Sequence, residues 1–202
     1  MKAVILISGN GSNLQSIINH ADRINLQISS VISNNKKAYG LFRAESVNIK
    51  THFLDPNIFN TKEAFDRELI SIIDELGIEL IILAGYMKIL SPIFINHFSG
   101  KILNIHPSLL PKYPGLNTHK RAINAFEKYH GASVHFVTEE LDGGPVISQE
   151  IVNIDSKDTE DTLAKKVLEK EHILYPKVIH WYTQKRLKLI NKDTATLDGK
   201  IL

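Results

Sequence analysis

The chain has 202 residues, a formal net charge of +2, 43% hydrophobic and 23% charged residues, and no cysteine. That length suits one domain, or one domain with a small appendage, able to bury a sizeable core. Lack of cysteine excludes disulfides, thiol nucleophiles and cysteine-ligated zinc, and the slight basic excess is too small to argue for a nucleic-acid partner.

In chain order, residues 2–8 read as a strand, 12–21 as a helix, 27–33 as a strand and 39–47 as a helix, with a short strand at 51–54. Phe65, Leu69, Ile72, Ile73 and Leu76 form one stripe of a helix over 62–76, which Gly77 stops. Apolar strands follow at 79–85 and 101–105. Continuous apolar strands separated by amphipathic helices imply an α/β fold: a doubly wound, Rossmann-like, mostly parallel sheet with helices on both faces. After residue 105 the pattern changes. A proline-rich loop leads to a helix over 117–129, then strands at 132–140 and 145–154 bring an antiparallel strand into the C-terminal half. A long helix covers 159–182 and is expected to bend at Pro176. No linker or repeat interrupts the chain, so one domain over 1–202 is expected, with lobes 1–100 and 101–202. The only apolar run near the N-terminus, at 3–7, is too short for a signal-peptide core, and nothing approaches a membrane span. A cytoplasmic chain without a membrane partner is expected.

Four places carry candidate chemistry. In ISGNGSN (7–13), two glycines between a strand and a helix N-terminus make an anion site, suited to one phosphate, or a plain turn. Gly9 and Gly11 permit close backbone approach, while Ser12 and Asn13 add donors and can cap the helix. As a dinucleotide fingerprint the segment fails at Leu14, where a third glycine belongs. In ILNIHPSLLPKYPG (102–115), alternation puts Asn104 and His106 on the same side of a strand end. In an open parallel sheet the ligand edge lies at such carboxyl ends. An amide and an imidazole there can stabilise a carbonyl oxygen that turns negative, or can be a satisfied polar pair. Asp142, in ELDGGP, is ordinary turn chemistry unless it faces His106, where it would hold the ring in its charged form. Glu171 falls on the stripe Leu163, Val167, Leu174, Val178 and needs a partner, either a structural ion pair or a ligand group. His135, in a strand, fits a cleft wall and a hydrogen-bonded core histidine equally. No metal-binding motif is present.

Taken together, ISGNGSNLQ, LAGYMKILS, ILNIHPSLLPKYPG, GASVHFVTEELDGGPVI and EKEHILYP, in this order and spacing, resemble the phosphoribosylglycinamide formyltransferase family across essentially the whole chain. The resemblance implies the formyltransferase fold and transfer of a formyl group from 10-formyltetrahydrofolate, a cosubstrate, to glycinamide ribonucleotide in purine biosynthesis. It implies Asn104, His106 and Asp142 as the catalytic set and no metal. Gly11, Ser12, Asn13, Leu14 and Gln15 would bind the ribonucleotide, together with Leu168, Glu169, Lys170 and Glu171. Met87, Lys88, Ile89 and Leu90 would wall the folate, as would Thr138, Glu139, Glu140 and Leu141, with Asn104 and Asp142 touching it too. Lys62 takes a folate-contacting position where relatives often carry Arg. Small molecules are the expected partners, with no nucleic acid, and the chain would be a monomer or homodimer. Relatives that formylate methionyl-tRNA or hydrolyse formylfolate carry an additional domain, which this sequence is not expected to have. A non-catalytic nucleotide-binding module is the rival of another class.

Overall fold

In the computed structural model, which describes residues 1–202, KAVILI forms β1 (Lys2–Ile7), buried from Ala3 onward. An unbroken buried aliphatic run needs both faces covered, which helices before and after the neighbouring strands provide. Helix α1 (Ser12–His20), β2 (Gln27–Ser33), α2 (Tyr39–Glu45) and β3 (Thr51–Phe53) follow, then a 3₁₀ turn (Pro56–Ile58). Helix α3 (Lys62–Glu75) starts where the Thr61 side chain accepts the Ala64 N–H at 3.1 Å, and it buries Phe65, Leu69 and Ile73. Next come β4 (Leu80–Leu83), α4 (Pro92–His97) and β5 (Ile102–His106). Helix α5 (Thr118–Asn124), β6 (Tyr129–Phe136), β7 (Val146–Asn153) and α6 (Glu160–Thr183) complete the main body. Strands β8 (Leu187–Asn191), β9 (Thr194–Leu197) and β10 (Lys200–Ile201) end the chain.

The chain divides into two compact units, Met1–Leu103 and Asn104–Leu202. Strand order in the larger sheet is β3-β2-β1-β4-β5-β6-β7, and a smaller sheet runs β10-β9-β8. In the first unit β1 pairs in parallel with both β2 and β4, and β2 with β3. The chain therefore leaves β1 in one direction through β2 and returns to its other side at β4. That is a topological switch point, where open α/β sheets bind their ligands beyond the strands' carboxyl ends. In the second unit β6 and β7 pair antiparallel and α6 packs on both. Leu163, Val167, Leu174 and Val178 are buried along α6, as the stripe requires. No helix is long and apolar enough to cross a membrane.

Several boundaries differ from the sequence pattern. The helix expected over 117–129 stops at Asn124, because Phe126 takes a left-handed backbone conformation (φ 53°) and Tyr129 pairs with Asn153 in β6. The strand expected over 132–140 is displaced toward the N-terminus for the same reason, and residues 137–145 form a loop. Helix α6 runs through Pro176 without interruption. Helix α4 was absent from the pattern because it is short and opens on Pro92, and the C-terminal sheet was absent too.

Candidate active site

Strand β5 ends in Asn104 and His106, and the loop that follows closes on the imidazole. His106 Nε2–H donates to the Tyr113 carbonyl at 2.9 Å, while Nδ1 lies 3.4 Å from Asp142 Oδ2. Both ring nitrogens thus face acceptors. Asp142 stands on the loop between β6 and β7 with φ 52°, a conformation Asp tolerates better than most residues. Its Oδ2 also accepts the Gly115 N–H at 2.8 Å. The ring and the carboxylate are both nearly buried, with side chains 8% and 10% exposed, so their attraction is weakly screened by solvent.

Asn104 is fixed differently. Its Nδ2 donates to His135 Nε2 at 3.0 Å, and His135 Nδ1–H donates to the Phe136 carbonyl at 2.8 Å. A carbonyl only accepts, so the proton sits on Nδ1 and the lone pair on Nε2, which settles which end of the Asn104 amide faces the ring. Burial is the main influence pushing the His135 pKa down, opposed by the Phe136 carbonyl and by Asp142, whose Oδ1 lies 3.8 Å from Nε2. Asp142 therefore stands between two imidazoles, one of them bridging it to the amide.

The loop that carries Tyr113 and Gly115 is anchored within the same unit. Leu110 N–H donates to Ser133 Oγ at 3.0 Å, and Ser133 Oγ–H donates to the Ser108 carbonyl at 2.6 Å. Gln149 donates to the Leu110 carbonyl at 2.9 Å, and the Arg121 guanidinium sits 5.1 Å over the Tyr113 ring.

In the first unit the glycine-rich turn runs into α1 with Gly11 as the N-cap at φ 75°. No side chain caps this helix; the expectation that Ser12 or Asn13 would do so fails, since Ser12 is already its first residue. First-turn amides have no partner inside a helix and carry the positive end of its dipole, so an anion there is favoured. A Cβ on Gly11 would lie 2.7 Å from Gly40 Cα, and one on Gly40 would lie 2.5 Å from Ile7 Cδ1. Both positions need glycine for close approach. Arg43 on α2 holds the turn: Nε donates to the Asn10 carbonyl at 2.9 Å and a terminal nitrogen to Asn10 Oδ1 at 3.0 Å. The other terminal nitrogen reaches Gln15 Oε1 at 3.3 Å.

Residues 1–179 match the family model described as formyl transferase. The chain is 50% identical to the phosphoribosylglycinamide formyltransferase of Escherichia coli, with 100% of this chain and 96% of the relative covered. The chain belongs to the formyl transferase family. Its similarity to the human trifunctional purine biosynthetic protein adenosine-3 is 39% identity over 99% of this chain and 19% of that protein. A solved phosphoribosylglycinamide formyltransferase from Coxiella burnetii superposes with a TM-score of 0.96 at 47% identity, covering 100% of this chain and 95% of that one. One from Symbiobacterium toebii, titled glycinamide ribonucleotide transformylase 1, gives 0.94 at 36% identity, covering 98% and 93%.

On this formyl transferase scaffold the second unit holds Asn104, hydrogen-bonded to His135, and both His135 and His106 within 4 Å of Asp142; His135 is a member that alternation alone could not separate from a core histidine. Thr138, Glu139, Glu140 and Leu141 lie on the same loop as Asp142, the last three exposed. Leu168, Glu169, Lys170 and Glu171 share one turn of α6; Glu171 is buried, and Lys170 lies 3.8 Å from Glu150. In the first unit Gly11, Ser12, Asn13, Leu14 and Gln15 form the turn and the start of α1, with Leu14 in the core. Met87, Lys88, Ile89 and Leu90 follow β4 in irregular backbone; Met87 and Ile89 are exposed apolar side chains. Lys62 opens α3. Arg43 is a residue sequence reasoning missed, since on a short helix nothing distinguishes a buttressing arginine from a solvated one.

Proposed function

We propose that this chain transfers the formyl group of 10-formyltetrahydrofolate to the amine of N1-(5-phospho-D-ribosyl)glycinamide, giving the N-formyl product and tetrahydrofolate, in de novo purine biosynthesis in the cytoplasm. The observation that carries the mechanism is that Asn104 and His106 share the end of β5, with the His106 ring 3.4 Å from the Asp142 carboxylate.

The acceptor amine attacks the formyl carbon, the carbonyl oxygen becomes negative, and the C–N bond to the folate nitrogen then breaks. The Asn104 amide and the imidazolium of His106 donate to that oxygen, which takes the place at Nε2 now held by the Tyr113 carbonyl. Asp142 keeps its neighbour charged and relays the amine proton, directly or through water, to the departing nitrogen. The scheme uses no metal and no covalent enzyme intermediate.

The turn from Gly11 to Gln15 binds the ribonucleotide phosphate, and Glu171 with Leu168, Glu169 and Lys170 contacts the same substrate. Met87, Lys88, Ile89, Leu90 and the loop from Thr138 to Asp142 wall the folate, and Lys62 meets its anionic end. Lysine there keeps the charge but not the two-pronged fork of arginine.

The test supplies formylfolate with each competing acceptor in turn: the ribonucleotide, methionyl-tRNA and water. Formylation of the ribonucleotide alone is expected. Formylated methionyl-tRNA, or tetrahydrofolate released without acceptor, would replace this reading by another activity of the same fold.

A further inference from the structure

Ser8 is where β1 gives way to the glycine-rich turn, and every polar atom it has is engaged. Its backbone N–H donates to the Gly85 carbonyl at 3.0 Å and its carbonyl accepts from Asn35 Nδ2 at 3.0 Å. Its hydroxyl donates to Asn34 Oδ1 at 2.6 Å and accepts the Met87 N–H at 2.8 Å. These partners come from the loops after β2 and β4, the two strands that flank β1 at the switch point. Three loops leave the sheet there, and one hydroxyl joins them.

The Met87 amide is a telling partner. Residues 84–91 carry no helix or strand of their own, and Gly85 takes φ 76° as the chain turns off β4. The ladder between β1 and β4 ends at the Leu6 and Leu83 pair. Beyond it, the Gly85 carbonyl and the Met87 amide are tied back to Ser8 by two successive bonds.

We infer that Ser8 is a positioning residue that sets the spacing between the turn holding the ribonucleotide phosphate and the loop walling the folate, an assignment that rests on the proposed function. Formyl transfer needs the amine and the formyl carbon at near-attack distance, and a misplacement of about 1 Å costs roughly 10²-fold. Removing the Ser8 hydroxyl leaves the ladder and the Gly85 bond in place but releases the Met87 amide. The donor loop shifts while the phosphate turn, held by Arg43 and Gly40, does not.

The experiment measures kcat and both KM values for Ser8→Ala, Ser8→Thr and Asn34→Ala, with hydrogen exchange at the Met87 amide and the melting midpoint. Ser8→Ala is expected to keep the ribonucleotide KM within about twofold and to lower kcat/KM for formylfolate about tenfold, the scale of one lost hydrogen bond. Met87 exchange speeds up, and Ser8→Thr, which retains the hydroxyl, restores both. Asn34→Ala, which loosens the hydroxyl's orientation without removing it, gives a smaller change of the same kind. Unchanged kcat/KM for formylfolate in Ser8→Ala, an equal rise in both KM values with a lowered midpoint, or no gain from threonine would overturn the inference. Met87 exchange is independent of the reaction: if the unmodified enzyme forms no product, the proposed function falls, and unaltered Met87 protection in Ser8→Ala would overturn the positioning role of Ser8 as well.

Discussion

Asp142 lies between two imidazoles that meet different partners. His106 donates to the Tyr113 carbonyl and turns Nδ1 toward the carboxylate at 3.4 Å; His135 presents one N–H to Phe136 and a lone pair to Asn104. Burial lowers the His135 pKa, which keeps the ring neutral and so an acceptor. Protonating it would turn Nε2 into a donor and cost the Asn104 bond. We predict that His135→Leu lowers kcat roughly tenfold or more while both KM values stay within about threefold, because an unanchored amide still binds but no longer points at the oxyanion. Steady-state kinetics against each substrate check this, and a rise confined to KM would contradict it. At this scale the sequence was informative about Asn104 and His106, because strand alternation fixes their common side. It left His135 open between a cleft wall and a core histidine and was silent about Arg43, since both roles depend on which atoms they meet.

The second unit contains an acid-sensitive element. His119 Nδ1 and His130 Nε2 lie 3.2 Å apart, linking α5 to β6, and His130 is 1% exposed. Burial lowers the His130 pKa to about 4, with the His119 and His106 charges adding to the effect and the Pro107 carbonyl and Glu127 opposing it. Burial likewise lowers that of His119. The unfolded chain takes up a proton on His130 below its ordinary 6.5, whereas the folded chain stays neutral down to about 4. The contribution to stability is therefore complete above the unfolded value and is lost as pH falls from there toward the folded one. It amounts to about 3 kcal/mol at most. His130→Gln should narrow the gap between melting midpoints measured at neutral and acid pH; an unaltered gap would show that the loss arises elsewhere. Element boundaries followed sequence where a period ran long, as in β2 and α3. They failed at α5, ended by the left-handed Phe126 and the pairing of β6, and at α4, too short to show a period.

For the molecule as a whole, the division of labour follows the sheet. In the proposed function the first unit supplies the turn into α1 for the phosphate and the loop after β4 for the folate. The second carries the polar cluster at the end of β5, where charge would develop. Full-length similarity to phosphoribosylglycinamide formyltransferases spans both units. The order of motifs made this legible before any coordinates, since five segments had to agree, whereas each alone had an ordinary structural explanation. The central claim is that the charge of Asp142 serves the transfer step, by supporting His106 and relaying the amine proton, and not the binding of the ribonucleotide. Asp142→Asn keeps the shape of the side chain and removes its charge. Measured in a single turnover, this variant is predicted to bind the ribonucleotide within about threefold of normal and to transfer formyl on the order of 10² times more slowly or worse; transfer at the unmodified rate would contradict the account.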